Sequence, residues 1–271
     1  MRATSQASLR TATTSWESVL QQAGADAATY GEQLFAVVDA LDGSAGLRRA
    51  LTEPTRDGDD KAAVVSQLLQ GKVDDRVVEL VSGMVRSRWS AEADLVDSIE
   101  ELAVISYLAA ADAKGDLTQV EEDTFRLTRV LADNRELRFA LGDRDAGAER
   151  RVQLLTSVFG GKVSAETLAL VTRAVRSLRS RTLTAALARI GELAARRRRQ
   201  LVAVITAASP LSQAQQDRLG ASLAQAYGRD VQLNIAIDPA VTGGFRIQIG
   251  DEVVDATIAA RLDHARRRLA G

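Results

Sequence analysis

Across the first two hundred positions, apolar residues recur every three or four places, the interval that gathers them on one face of a helix. Leu34, Val37, Val38 and Leu41 form one such stripe. Leu95, Ile99, Leu102, Ile105 and Ala109 form a longer one, inside a helix predicted over residues 91–113 that Gly115 breaks. The intervals between stripes carry turn and cap chemistry. Asp42-Gly43-Ser44 reads as a turn, residues 47–51 as a short helix stopped by Pro54, and Asp57-Gly58-Asp59-Asp60 as the cap of a helix through Leu69 that Gly71 ends. Residues 74–86 are the next predicted helix. The Ala/Ser/Thr-rich residues 1–14 read as frayed, with helix from Ser15 onward, and Gly24 and Gly31 read as joints.

The pattern then repeats. A shift of 90 positions puts Phe35 on Phe125, Leu41 on Leu131, Leu47-Arg48 on Leu137-Arg138 and Ala50-Leu51 on Ala140-Leu141. It also puts Gly71-Lys72-Val73 on Gly161-Lys162-Val163, Val81 on Val171, and Val85-Arg86-Ser87 on Val175-Arg176-Ser177, all without a gap. The shared positions are core apolar residues and helix-ending glycines, so a structural unit has been duplicated. The expectation is a mainly α protein built from two related antiparallel helical bundles, residues 1–94 and 95–199, with the helix of residues 91–113 ending one and beginning the other.

From residue 200 the period changes. Leu201–Ala207 is an unbroken β-branched and apolar run of the kind a central strand shows. Ser209-Pro210 stops it, Ser212 caps a helix that Gly228 closes, and Val231–Ile237 alternates apolar and polar positions. Phe245, Ile247 and Ile249 repeat the alternation, and the turn at Gly250-Asp251-Glu252 leads into Val253-Val254 as a short hairpin. A final helix over residues 257–269 would set Ile258, Leu262, Ala265 and Leu269 on one face and leave Arg261, Arg266, Arg267 and Arg268 outside as a basic rim. Residues 200–271 are therefore expected to form a small α/β domain of βαββα order.

Residues 238–258 (DPAVTGGFRIQIGDEVVDATI) with Arg261-Leu262, and residues 204–211 (VITAASPL) before them, resemble the C-terminal signature of the F-type ATP synthase delta subunit, the oligomycin-sensitivity-conferring protein family. The apolar strand, the Pro-Leu turn, the Gly-Gly strand and the Ile-Gly-Asp turn all occur in order. What the resemblance implies is a non-catalytic stator part without cofactor or metal. It would bind the N-terminal helix of a catalytic-head alpha subunit through a bundle, and the peripheral-stalk b subunits through its C-terminal domain. It would lie at the cytoplasmic face of a bacterial cell membrane, touching the membrane only through the complex. The family has one N-terminal bundle, so residues 95–199 are the implied counterpart and residues 1–94 an extra copy, of which residues 15–90 are expected to be dispensable for docking to the head. By the same resemblance the partner helix lies against the first and fifth helices of a bundle. The implied lining residues are Ile105, Leu108, Ala109, Leu168, Val171 and Val175, with Arg266 and Arg267 steering the stalk.

Composition narrows the alternatives. Hydrophobic residues make up 46% of the chain but aromatic ones only 4%, so its cores rest on Ala, Leu and Val, which suits close helix packing. Thirty-five basic against thirty-six acidic residues argues against a nucleic-acid partner, which usually meets a strongly basic domain. No apolar run approaches the roughly 20 residues of a membrane span. The absence of cysteine removes disulfides and thiol nucleophiles. Phe159-Gly160-Gly161-Lys162 lacks the first glycine and the final hydroxyl of a phosphate loop and reads as a helix end. Residues 112–123 place acids as a calcium loop does, but Lys114 and Leu117 occupy positions that need a ligand and a glycine. His264, the lone histidine, can build no cluster. Arg196–Arg199 suits the end of a helix, where the dipole favours cations. Gly243-Gly244 reads as a strand start that needs backbone freedom. Besides the stator reading, a helical adaptor that binds amphipathic helices in some other complex fits the same features.

Overall fold

The computed structural model describes residues 1–178, 182–199, 201–227, 231–238, 241, 243–249 and 252–255. The described chain is mostly helical and ends in a small mixed sheet, as the periodicities predict. It divides into two compact units, Met1–Ala195 and Arg196–Gly271.

The helical unit opens with α1 (Ala3–Ala23), α2 (Ala27–Asp42), α3 (Ala45–Thr52), α4 (Gly58–Leu69), α5 (Asp75–Arg86) and α6 (Glu92–Ala113). The series then recurs as α7 (Leu117–Asp133), α8 (Arg135–Gly142), α9 (Ala148–Phe159), α10 (Ala165–Arg176) and α11 (Leu183–Arg199). Local chemistry starts these helices, at Asp57 and residue 74 where the sequence predicts it and at Ser164 in the same manner. Asp57 accepts from the Asp59 amide at 2.8 Å, Asp74 from Arg76 at 2.9 Å and Ser164 from Thr167 at 3.1 Å, each satisfying an amide that the first helical turn leaves open. Gly71 and Gly161, which follow α4 and α9, take φ of +74° and +72°, the left-handed conformation that ends a helix at little cost only in glycine.

Side-chain hydrogen bonds repeat with the same offset. Arg48 donates to the carbonyls of Leu41 and Asp42, and Arg138 to those of Leu131 and Ala132. The Asp74 amide donates to Gln33 Oε1, and the Ser164 amide to Asp123 Oδ2. The 90-residue repeat is therefore a repeat of geometry. Two apolar cores run through the unit. The first is built on Trp16, Leu20, Leu34, Val38, Val81, Val85, Ile99 and Leu102, yet Leu170, Ile190, Leu193 and Ala194 of the second copy belong to it as well. The other centres on Leu127, Leu131, Leu141, Leu155, Val175 and Leu187. Helix α6 joins the copies, as the last helix of one and the first of the next. Its Ser106 accepts from the Trp16 indole at 2.9 Å, a bond between two positions 90 residues apart.

Two local expectations are overturned. Residues 3–14 are helical and anchored: Ser5 is buried, donates to Asp94 at 2.7 Å and accepts from the Ser90 amide, and Ser8 donates to the Arg88 carbonyl. Gly31 is no joint. It lies inside α2, where an added Cβ would stand 2.5 Å from the Tyr107 ring and 2.9 Å from the Ala103 carbonyl, so its role is close approach of α2 to α6.

In the second unit, β1 (Leu201–Ala207) is central, as its apolar run predicts, in the order β2-β1-β3-β4. It pairs in parallel with β2 (Val231–Ile237) after the crossover helix α12 (Gln213–Tyr227), and antiparallel with β3 (Phe245–Ile249), which turns back into β4 (Glu252–Asp255). Ala203, Ile205, Ile247 and Ile249 are its buried centre. Gly243 and Gly244 have φ of +72° and +79°, the backbone freedom expected at the start of β3. The expected final helix, with His264, Arg261, Arg266, Arg267 and Arg268, lies outside the described residues, as do Gly228 and the Gly250-Asp251 turn.

Candidate functional site

The helical unit offers a groove where α6, α10 and α11 meet. Its floor is apolar, from Val104, Leu170, Ala174 and Ile190, with Phe35 of α2 at one side. Its rim is charged, with Asp97, Glu100 and Glu101 on α6 facing Arg173 on α10 and Arg189 on α11. The enclosed space is about 60 Å³, far below the several hundred that a small-molecule site needs, so the groove suits side chains of a partner.

Two arginines define its electrostatics. Arg189 donates to Glu101 at 2.7 Å and meets Glu192 at 3.2 Å. Burial is the largest single influence and works against its charge, but the hydrogen bonds and charges of Glu101 and Glu192 together outweigh it and hold the guanidinium above its ordinary pKa. Arg173 is clasped from α2: its Cζ lies 4.8 Å from the centre of the Phe35 ring, and Nη1 donates to both oxygens of Asp39 at 2.7 and 2.8 Å. Its side chain is only 10% exposed, and Nε and Nη2 have no hydrogen-bond partner among the described residues. Those two donors are buried, charged and unsatisfied, a costly state that an acceptor from outside would relieve. Tyr107 packs beside Phe35 with ring centres 5.9 Å apart; burial, with the charge of Glu32 adding to it, pushes its hydroxyl up to about 12. The far end of α6 is tied to the start of α10 by Lys114, which donates to Glu166 at 2.5 Å. Glu166 is nearly buried, which most strongly disfavours its charge, yet the bond and charge of Lys114 together with a backbone hydrogen bond hold its carboxyl below the usual range.

The six predicted lining residues divide between core and surface. Leu108 and Ala109 are buried in the first core, Val171 and Val175 in the second. Only Ile105 and Leu168 are half-buried. None of the six is among the residues that line this groove, although α6 and α10 were the helices expected to form one. Core and groove positions are both apolar at helical spacing, so the period could not separate them. The groove's own markers, Glu101, Arg173 and Arg189, went unnoticed; the signal available was charge embedded in helices otherwise given to Ala, Leu and Val. Arg266 and Arg267 lie outside the described residues. Asp123, inside the calcium-like stretch, is fully buried as a structural acceptor for the Ser164 amide and the Gln119 side chain.

A model of the family "ATP synthase delta (OSCP) subunit" matches residues 105–269, which takes in the groove helices α10 and α11 and the β-sheet unit. Similarity also extends over the whole length. The ATP synthase subunit delta of Beutenbergia cavernae is 55% identical over 271 residues, covering 100% of both chains. That of Streptomyces griseus subsp. griseus is 44% identical over 271 residues, again 100% of both. The chain belongs to the ATP synthase delta (OSCP) subunit family. A chain in the cryo-EM structure of the Toxoplasma gondii mitochondrial ATP synthase hexamer covers 62% of this chain and 97% of its own length, with 19% identity and a TM-score of 0.29, too loose a match to argue from. Membership rests on the sequence relatives, and their full-length alignment means that delta subunits of this kind carry both helical copies.

Proposed function

We propose that the chain is a non-catalytic stator subunit of the bacterial F-type ATP synthase, joining the catalytic head to the peripheral stalk and resisting the torque of the rotor during proton-driven synthesis. The observation that carries the reading, beside family membership, is the α6–α10–α11 groove: an apolar floor, a charged rim and the unsatisfied Arg173 donors. Such a groove accepts an amphipathic helix, whose apolar residues fill the floor while one polar acceptor reaches Arg173. The N-terminal helix of an alpha subunit in the head is the proposed occupant, and the b subunits of the stalk are the proposed partners of the C-terminal unit. Residues 95–199 are the proposed head-binding bundle, residues 1–94 the extra copy and residues 200–271 the stalk-binding part, with Arg266 and Arg267 steering that contact. Ile105 and Leu168, half-buried on the same two helices, are the predicted lining positions still open to contact. The chain would reach the cytoplasmic face of the membrane only through the complex; among the described residues no helix is long and apolar enough to cross one.

Ala174→Trp tests the groove, because Ala174 lines it and is only half-buried. With circular dichroism unchanged, affinity of the full chain for heads stripped of this subunit should fall at least tenfold, by surface plasmon resonance or calorimetry. Unchanged affinity would remove the groove as the head-binding site.

A further inference from the structure

Phe35 and Phe125 hold the same place in the two copies, on α2 and α7. The matched bonds that the amides of Asp74 and Ser164 donate to Gln33 Oε1 and Asp123 Oδ2 show that the two helices have the same rotation within their bundles. Their surroundings are opposite. Phe35 is 7% exposed, lying under Arg173 of the following copy, which also pairs with Asp39 one turn along α2. Phe125 is 66% exposed, and the residue one turn along α7 is Arg129, exposed and without an ion pair among the described residues. In the first copy, then, an aromatic ring and a carboxylate four residues apart receive a helix that brings an arginine. The second copy repeats the ring and reverses the charge.

We infer that the α7 face bearing Phe125 and Arg129 is a second docking surface of the chain, and that it receives an amphipathic helix of another synthase subunit that sets an apolar side chain on Phe125 and a carboxylate against Arg129. In repeat architectures each unit covers the face of the one before it, and the last face is left for a cap or a partner. Here the chain passes from α11 into β1, so among the described residues no third copy follows to cover α7. A second copy of this chain is a poor occupant: its α10 would bring Arg173 against Arg129, like charge on like, and that helix face is already engaged within its own chain.

The inference rests on the chain working within the synthase, and the test separates the two readings. The photoreactive residue p-benzoylphenylalanine is placed at Phe125 in one full-length protein and at Val104, inside the groove, in another. Each is incorporated into the complete complex and irradiated. The position-125 probe should crosslink to a helix of a different subunit carrying Asp or Glu within one turn. Arg129→Glu should cut that yield at least fivefold while leaving the position-104 crosslink unchanged, and reversing the partner's acid to Lys should restore it. A position-104 crosslink with none at 125 would overturn the second surface alone. So would a crosslink at 125 to lipid, to a second copy of this chain or to a helix without an acid, or a yield indifferent to Arg129→Glu. If neither position crosslinks in complexes that contain the chain, both readings fall.

Discussion

The two helical copies share the side-chain-capped starts of α5 and α10, the glycine ends of α4 and α9 and the bonds of Arg48 and Arg138, yet they differ in what their outer faces meet. In the first copy Phe35 is enclosed by Tyr107 and Arg173; in the second Phe125 and Phe139 stand 66% and 75% exposed. Much of the interior chemistry is common to both copies, as each bundle needs a packed core to fold. Exterior chemistry was free to diverge, because one copy faces its twin and the other faces outward. The difference teaches where to look for function in a duplicated protein: at positions whose place is equal and whose environment is not.

Three sets of variants would break or sharpen that comparison. Phe35→Ala should cost about 3–5 kcal/mol, as an aromatic removed from a packed core does, while Phe125→Ala should change stability by less than about 0.5 kcal/mol. Urea denaturation at constant m-value reads the difference, and equal costs would mean that Phe125 is covered within the isolated chain. Next in size is a pair of buried cations at matched positions, Lys61 and Arg151. Arg151 donates to the carbonyls of Asp143, Ala146, Val175 and Arg176, whereas the Lys61 ammonium makes no hydrogen bond among the described residues. Arg151→Met should therefore cost about 2–3 kcal/mol by stranding buried carbonyls, and Lys61→Met under about 1 kcal/mol. A larger loss at Lys61 would show that its copy depends on the same anchor. Smallest, and meant to be equal, are Gly71→Ala and Gly161→Ala. An added Cβ meets nothing within 4 Å at either, so only the left-handed backbone opposes it, at about 1–2 kcal/mol each. Thermal melts differing by more than the error between the two would end the claim that the copies terminate α4 and α9 alike.

Much of this was legible in the sequence for a physical reason. Helix-ending glycines, Asp and Ser caps and apolar stripes act locally, so Asp57, Ser212, Gly71 and Gly161 declared their roles without a structure. The central position of β1 was legible too, from a run of apolar residues with no polar face to give to solvent. Tertiary facts were not. Gly31 looked like a joint because its contact with Tyr107 comes from a helix some seventy residues away. The first fourteen residues looked frayed because their anchors, Asp94, Arg88 and the Ser90 amide, are equally remote. Leu108, Ala109, Val171 and Val175 were placed in a groove because a core residue and a groove residue obey the same period. Removal of residues 15–90, the copy expected to be dispensable for docking to the head, would also disturb what remains. Leu95, Ile99, Leu102 and Ala103 of α6 are buried in a core that residues 1–90 largely build, so truncation would uncover them.

Helix α6 has 22 residues and so runs about 33 Å, with its apolar side chains committed to the first core and its C-terminus tied by Lys114 to the second bundle. A duplication joined by a loop would have left a hinge. Sharing a helix leaves a continuous strut instead, and a load applied to one bundle reaches the other as compression or twist along hydrogen-bonded backbone. The same continuity should make the two copies a single cooperative body on unfolding, to be read as one transition in calorimetry where two tethered bundles would give two. For a part that must hold still while its neighbours turn, the stiffness comes from having no seam between the copies.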